Sequence, residues 1–275
     1  PLVNHAGAET LPPGSIFKII TTAAGLNNGF DPSSTLTGSN VITLPDTVTE
    51  LTNYANQKCN GQDSVTLQTA FALSCNTAFV EMSEQIGADE LRKYAKAFGV
   101  GENYDLGVST SGGTLGDLPD GAATAQSAIG QRDVTMTALQ AAVMAGTVAN
   151  KGTRMQPYLV NRITDAQMKD VRTTKPKKAD QAVNEETAAT LTDLMYASER
   201  SSWGYDGNGF ASKTGTAEHG EGLAPHVWYV AFDPERDIAV GVVVKNGGNL
   251  GESATGGKVS GPIGRAILRA YQGEQ

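Results

Sequence analysis

What the chain has little of narrows the field first. It has no stretch approaching the roughly 18 uninterrupted apolar residues of a membrane-spanning helix, and its first residues lack the basic and apolar regions of a signal peptide. A soluble protein and the ectodomain of an anchored one both fit that pattern. Cations are in the minority. With 21 Lys and Arg against 29 Asp and Glu, a net charge of -8 argues against nucleic acid as a partner, because phosphate binding needs clustered cations. The one basic run, residues 175–178 around Pro176, reads as an exposed loop. Histidine is scarce, and His219 and His226 lack a third ligand at suitable spacing, so no metal or other cofactor is expected. The only two cysteines, Cys59 and Cys75, lie 16 positions apart. Two readings stay open. They are independent buried thiols, or they form one disulfide, worth about 3 kcal/mol in the chain-entropy model and implying an oxidising compartment.

What is present describes one catalytic unit. Hydrophobic residues at 39% and charged residues at 18% are globular values, and 32 glycines signal many turns and close backbone approaches. Leu11-Pro12-Pro13-Gly14 is a rigid, non-helical approach. Apolar spacing from Ile16 onward then predicts a helix from Ser15 to about Asn28-Gly29. Residues 31–63 read as an irregular excursion with short extended pieces. Helical spacing returns from Thr66 to Leu73, resumes at Thr77 and stops at Gly87, with a further helix over 89–98. Ser74-Cys75-Asn76 falls at the first of these junctions. A loop over 101–121 precedes helices at 122–129 and 137–149. The spacing predicts a strand over 155–164 with 165–171 as its hairpin partner, then a helix capped by Asn184. Extended runs at 209–218, 226–232 and 237–245 follow, the last two joined by a turn at Asp233-Pro234-Glu235-Arg236. A glycine-rich loop over 247–257 and a helix over 262–271 end the chain.

Three short motifs stand in a definite order. Pro13-Gly14-Ser15-Ile16-Phe17-Lys18 opens a helix, Ser74-Cys75-Asn76 separates two helices, and Lys213-Thr214-Gly215-Thr216-Ala217-Glu218 opens a late strand. A Ser-x-x-Lys pair alone arises by chance about once in a chain of this length. Alone it is also well explained as a helix cap with a solvated lysine. The conjunction is what carries information, and these elements are the ones found in penicillin-binding proteins and the related β-lactamases.

The chain resembles the transpeptidase domain of class B penicillin-binding proteins from about Leu11 to its end. Ile129-Gly130-Gln131, Met136-Thr137-Ala138-Leu139-Gln140 and the run Val227 to Pro234 carry the likeness beyond the three motifs. Cys75 within the second motif, with Cys59, resembles the actinobacterial penicillin-binding protein A group. The resemblance implies an α+β fold, an antiparallel sheet flanked by helices plus an all-α subdomain. It also implies sheet strands, a non-catalytic domain and a membrane anchor ahead of the catalytic helix. Only 14 residues precede Ser15, so residues 1–275 are expected to be a transpeptidase domain shortened at its N-terminus, from a parent on the extracytoplasmic face of the bacterial membrane.

The same resemblance assigns roles. Ser15 is the nucleophile, and Lys18, one turn on, is its base if burial or the charge of Lys213 keeps it neutral. Ser74 relays a proton to the leaving amine, and Asn76 holds Lys18 and the substrate backbone. Lys213, Thr214 and Thr216 receive a substrate carboxylate, while Gly215 leaves room beside the strand. The backbone N–H groups of Ser15 and Thr216 form the oxyanion hole. Apart from the resemblance, Trp203, Tyr205 and Trp228 are groove candidates, with Trp228 better read as core, and Glu218 and Glu221 read as structural or rim residues. The expected activity is DD-transpeptidation of stem peptides ending in D-Ala-D-Ala, with β-lactams acylating the same serine and division proteins as further partners. A DD-carboxypeptidase or serine β-lactamase on the same fold is one alternative. A β-lactam sensor or division scaffold without turnover is another.

Overall fold

The computed structural model describes residues 3–220 and 222–271. The first element, α1 (His5–Ala8), is capped by the Asn4 side chain. After the two prolines a 3-10 turn, Gly14–Phe17, runs directly into α2 (Lys18–Leu26). The helix expected from Ser15 is therefore split. Its first turn is the tighter 3-10 form, in which residues i and i+3 eclipse, bringing Ser15 and Lys18 onto one line. The excursion that follows contains β1 (Thr35–Thr37), β2 (Val41–Thr43), β3 (Glu50–Thr52) and β4 (Ser64–Thr66). They pair as two short antiparallel ribbons, β1 with β4 and β2 with β3.

Helix α3 (Leu67–Leu73) is capped by Thr66, and α4 (Asn76–Ala97) starts three residues after α3 ends. The predicted break at Gly87 appears as a kink inside α4, where φ 77° and ψ 168° leave the helical region. Helix α5 (Gly121–Ala128) begins at an Asp120 cap, and α6 (Ala138–Ala149) begins with a capping box between Thr137 and Gln140. These helices bury Phe17, Ile20, Phe71, Phe79, Met82 and Met144 in one continuous core with α2.

The middle hairpin differs from expectation. Strand β5 (Thr153–Met155) does not join the run after it but pairs with β8 (Lys178–Gln181). Strands β6 (Arg162–Thr164) and β7 (Asp170–Thr173) form the hairpin between them. Lys178 of the expected basic loop thus opens a strand. Helix α7 (Glu185–Ser201) follows, with Asn184 as its cap and Glu185 and Glu186 in the first turn, where the helix dipole favours them.

The main sheet is built by β9 (Ala211–Ala217), β10 (His226–Asp233) and β11 (Ile238–Val244), all antiparallel, with β10 in the centre and β9 at one edge. All of β10 is buried, because helices cover both faces. Trp228, Val230 and Phe232 face the main core with α6, whereas Tyr229 and Ala231 face Leu268 of α8 (Ser260–Ala270). Glycine makes two of these contacts possible. A Cβ on Gly241 would lie 2.5 Å from the Ala138 carbonyl oxygen, and one on Gly264 would lie 2.3 Å from the Tyr229 ring.

Candidate active site

The edge strand β9, the 3-10 turn before α2 and the α3–α4 junction meet at one cleft. Ser15 is half-buried in the 3-10 turn, and that turn is gripped by backbone on two sides. On one side the Gly14 N–H donates to the Gly130 carbonyl at 3.0 Å, so closely that a Cβ on Gly130 would fall 2.0 Å from the Gly14 oxygen. On the other side a Cβ on Gly215 would stand 2.8 Å from the Pro13 oxygen and 3.2 Å from the Ile16 nitrogen. The room at Gly215, expected to lie open to a ligand, is taken on its Cβ side by the turn that carries Ser15.

Ser74 ends α3 in the left-handed region, φ 61° and ψ 40°, a conformation that a residue with a Cβ adopts only when its surroundings require it. Those constraints are visible. The Cys75 N–H donates to the Ala70 carbonyl at 2.9 Å, and Cys75 is joined by a disulfide to Cys59, with a Cα–Cα distance of 5.7 Å. Of the two cysteine readings the bridge is the one observed. Asn76 then opens α4. Its Nδ2 donates to the Thr52 carbonyl at 3.2 Å, which turns its Oδ1 toward the cleft.

Lys18 is wholly buried at the centre of this arrangement. Its Nζ donates to the Ser74 carbonyl and to Asn76 Oδ1, both at 2.8 Å, and lies 3.3 Å from Ser74 Oγ. Lys213, also wholly buried, donates to the same Ser74 Oγ at 2.9 Å and to the Thr214 carbonyl at 3.1 Å. One hydroxyl thus bridges two lysines. Phe79 lies 5.1 Å from Lys18 Nζ and Phe71 lies 5.7 Å from Lys213 Nζ, so each amine has an aromatic wall. Burial, followed by the Lys213 charge, holds Lys18 well below the ordinary lysine range, and burial pushes Lys213 down to about 7.

Along β9 only Thr214 and Thr216 keep partial exposure, while every other residue of the strand is buried. The register puts Lys213 opposite Val230 and Thr214 opposite Tyr229, so lysine and threonines belong to opposite faces of an edge whose cleft side carries no strand. Thr216 Oγ1 also accepts from the Gly256 N–H at 3.4 Å. Trp228 is buried, with its indole N–H on the Pro12 carbonyl at 2.8 Å, whereas Trp203 and Tyr205 are exposed. Glu218 is exposed at the end of β9, and Glu221 lies outside the described residues. His219 and His226 stack at 4.0 Å between ring centroids, and His226 Nδ1 accepts from the Asn246 N–H at 3.2 Å, which makes them a clasp on the β9–β10 turn. The aromatic walls, the Thr52 carbonyl and the Gly130 contact carry no sequence signal of their own, since each is a tertiary meeting of ordinary residues.

Residues 1–269 match the family model of the penicillin-binding protein transpeptidase domain. The chain belongs to that family. It is 45% identical over 279 residues to the peptidoglycan D,D-transpeptidase PbpA of Mycolicibacterium smegmatis, covering 98% of this chain and 57% of the relative. It is 43% identical to PbpA of Mycobacterium tuberculosis, covering 100% of this chain and 58% of the relative. The structure of penicillin-binding protein A from M. tuberculosis, solved as its ceftriaxone acyl-enzyme, superposes with a TM-score of 0.94 at 42% identity, over 99% of this chain and 63% of that one. Its penicillin G acyl-enzyme gives 0.92 at 43%, over 98% and 63%. The α+β transpeptidase fold is therefore shown, and the chain spans under two thirds of these relatives' length. No helix among the described residues is long and apolar enough to cross a membrane.

Proposed function

We propose that the chain is the catalytic unit of a peptidoglycan DD-transpeptidase that works through a Ser15 acyl-enzyme. The observation that carries this reading is the hydrogen bonding of Lys18. A neutral amine has two N–H bonds and one lone pair, and the Ser74 carbonyl and Asn76 Oδ1 occupy the two donors. The lone pair has the Ser74 hydroxyl at 3.3 Å and is available to Ser15, one turn back in the chain, and burial beside Lys213 favours the neutral form that has such a pair.

In the acylation half, the Ser15 proton passes to Lys18 as Oγ bonds to the carbonyl carbon of the penultimate D-Ala. The carbonyl electron pair moves onto oxygen, where the Ser15 and Thr216 N–H groups receive it. The C–N bond then breaks, and the departing D-Ala amine takes a proton by way of Ser74, the hydroxyl between the two lysines. Thr214 and Thr216, the partly exposed hydroxyls of β9, hold the terminal carboxylate while it remains, and Lys213 on the other face adds positive charge. In the second half an amine of a neighbouring stem peptide attacks the acyl-enzyme and returns its proton along the same path, freeing Ser15. A β-lactam follows the first half, and its leaving amine stays tethered.

Residues 1–275 act as one transpeptidase unit of a longer protein on the extracytoplasmic side of the membrane, where the disulfide is stable. Division proteins are the partners that setting suggests. The test is a synthetic pentapeptide ending in D-Ala-D-Ala, with and without an amine acceptor, followed by mass spectrometry. Released D-Ala with an acceptor-linked product supports the reading. Tetrapeptide alone would mark a carboxypeptidase, and acylation by penicillin with no peptide product would mark a sensor.

A further inference from the structure

Behind the active-site strand, on the face away from Ser74, lies a buried carboxylate that the chemistry above does not use. Glu199, at the C-terminal end of α7, is 1% exposed, and its two oxygens take four hydrogen bonds. Oε1 accepts from Arg265 Nε at 2.6 Å and from Asn208 Nδ2 at 2.9 Å. Oε2 accepts from the Tyr229 hydroxyl at 3.0 Å and from the Ser212 hydroxyl. The donors come from α8, the segment before β9, β10 and β9 itself. Arg265, also buried, reaches on to the Trp203 carbonyl at 3.0 Å and to the Ser202 hydroxyl.

Two of these donors bracket the catalytic strand. Ser212 immediately precedes Lys213, and Tyr229 is the cross-strand partner of Thr214. Among the described residues strand β9 is the sheet's edge, with a neighbouring strand on one side only, so whatever lies behind it helps set its position. The ladder with β10 sets its register, and the contacts behind the sheet set its tilt. A carboxylate whose acceptor sites are filled from four directions fixes one geometry, which is the best-attested use of a buried ion pair.

We propose that Glu199 is a positioning residue for the transpeptidase reaction. Through Ser212 and Tyr229 it holds β9 so that Lys213 Nζ stays on Ser74 Oγ and the hydroxyls of Thr214 and Thr216 keep their place for a substrate carboxylate. The inference rests on the roles given above to Ser15, Ser74 and Lys213.

The test uses Ser212→Ala and Tyr229→Phe, singly and together. Each removes one bond to Oε2 and leaves the Glu199–Arg265 pair intact, and the single variants, which lose one bond each, keep the test readable if the double variant is unstable. The readouts are acylation by a fluorescent penicillin between pH 5 and 10, resolved into binding and acylation steps, and thermal melting. The double variant strips both donors from a buried carboxylate oxygen and is expected to melt below the wild type; at temperatures where it is folded it should acylate about 10- to 100-fold more slowly in the chemical step, with a displaced pH profile because the Lys213–Ser74 contact has loosened. Folded variants whose acylation rate stays within about twofold of wild type, with an unchanged pH profile, overturn the proposal, since a purely structural carboxylate would move only the melting point. The Ser15→Ala control separates the two claims. A wild type that is not acylated at Ser15 refutes the catalytic reading itself, whereas an acylated wild type with unaffected variants refutes only the role of Glu199.

Discussion

Replacing Gly130 with alanine tests whether Ser15, the proposed nucleophile, is held by backbone contact. The new Cβ would lie 2.0 Å from the Gly14 oxygen, 2.7 Å from its carbon and 2.9 Å from its nitrogen, and ordinary contact begins near 3.4 Å. These are backbone atoms without a rotamer to change, so the turn carrying Ser15 has to retreat by about 1 Å or more, and a displacement of that size costs on the order of 100-fold in rate. Gly130 also sits at φ 75°, where alanine is disfavoured by about 1–2 kcal/mol. Loss of the Gly14–Gly130 hydrogen bond adds about 1 kcal/mol. The variant should therefore melt about 5–10 °C lower. Below that melting point it should be acylated by a fluorescent penicillin at least about 100-fold more slowly than wild type. Gel fluorescence against time, with circular dichroism to show that the chain is folded, measures both. A folded Gly130→Ala protein acylated within about threefold of wild type would refute the claim that the Gly14–Gly130 contact positions the serine.

Three further outcomes are expected. Cys59→Ser/Cys75→Ser loses the 16-residue closure and about 3 kcal/mol in a urea titration, and its acylation slows because Ser74 no longer has that anchor; an unchanged midpoint contradicts this. Asn76→Ala takes one acceptor from Lys18 and leaves a buried donor short of a partner, costing about 1–3 kcal/mol, and acylation falls while the disulfide remains. Stability rises with pH: Lys213 titrates at about 7 when folded against 10.5 for the free side chain, so the unfolded chain binds more protons between those values. The penalty is full below pH 7 and fades as pH climbs through that window, and the depressed Lys18 adds in the same sense. Lys213→Met should flatten the slope in denaturant titrations.

The parts that were readable before the structure are those with local causes. Ser15 and Lys18 share a turn, so spacing alone put them together, and Gly87 and Asn184 mark a kink and a cap through backbone preference and side-chain capping. The strands β9, β10 and β11 and the hairpin turn between the last two were readable as three extended runs and a tight turn, whereas their order came from the structure. The hidden parts depend on distant pairing. Met155 reads as the start of a hairpin because alternation cannot say which strand it meets, and it meets β8. Gly215 looks like ligand space until the Pro13–Ile16 turn is seen against it. Glu199 gathers donors 9 to 66 residues away and has no motif to announce it. The left-handed Ser74 is invisible in sequence because a serine ending a helix gives no sign of positive φ.

The account stands most directly on the identity of the acylated atom. Incubation with penicillin G, digestion with trypsin and mass spectrometry should find one adduct, on the tryptic peptide that ends at Lys18 and contains Ser15, and none after Ser15→Ala. An adduct on any other peptide, or none on the folded wild-type chain, would contradict it.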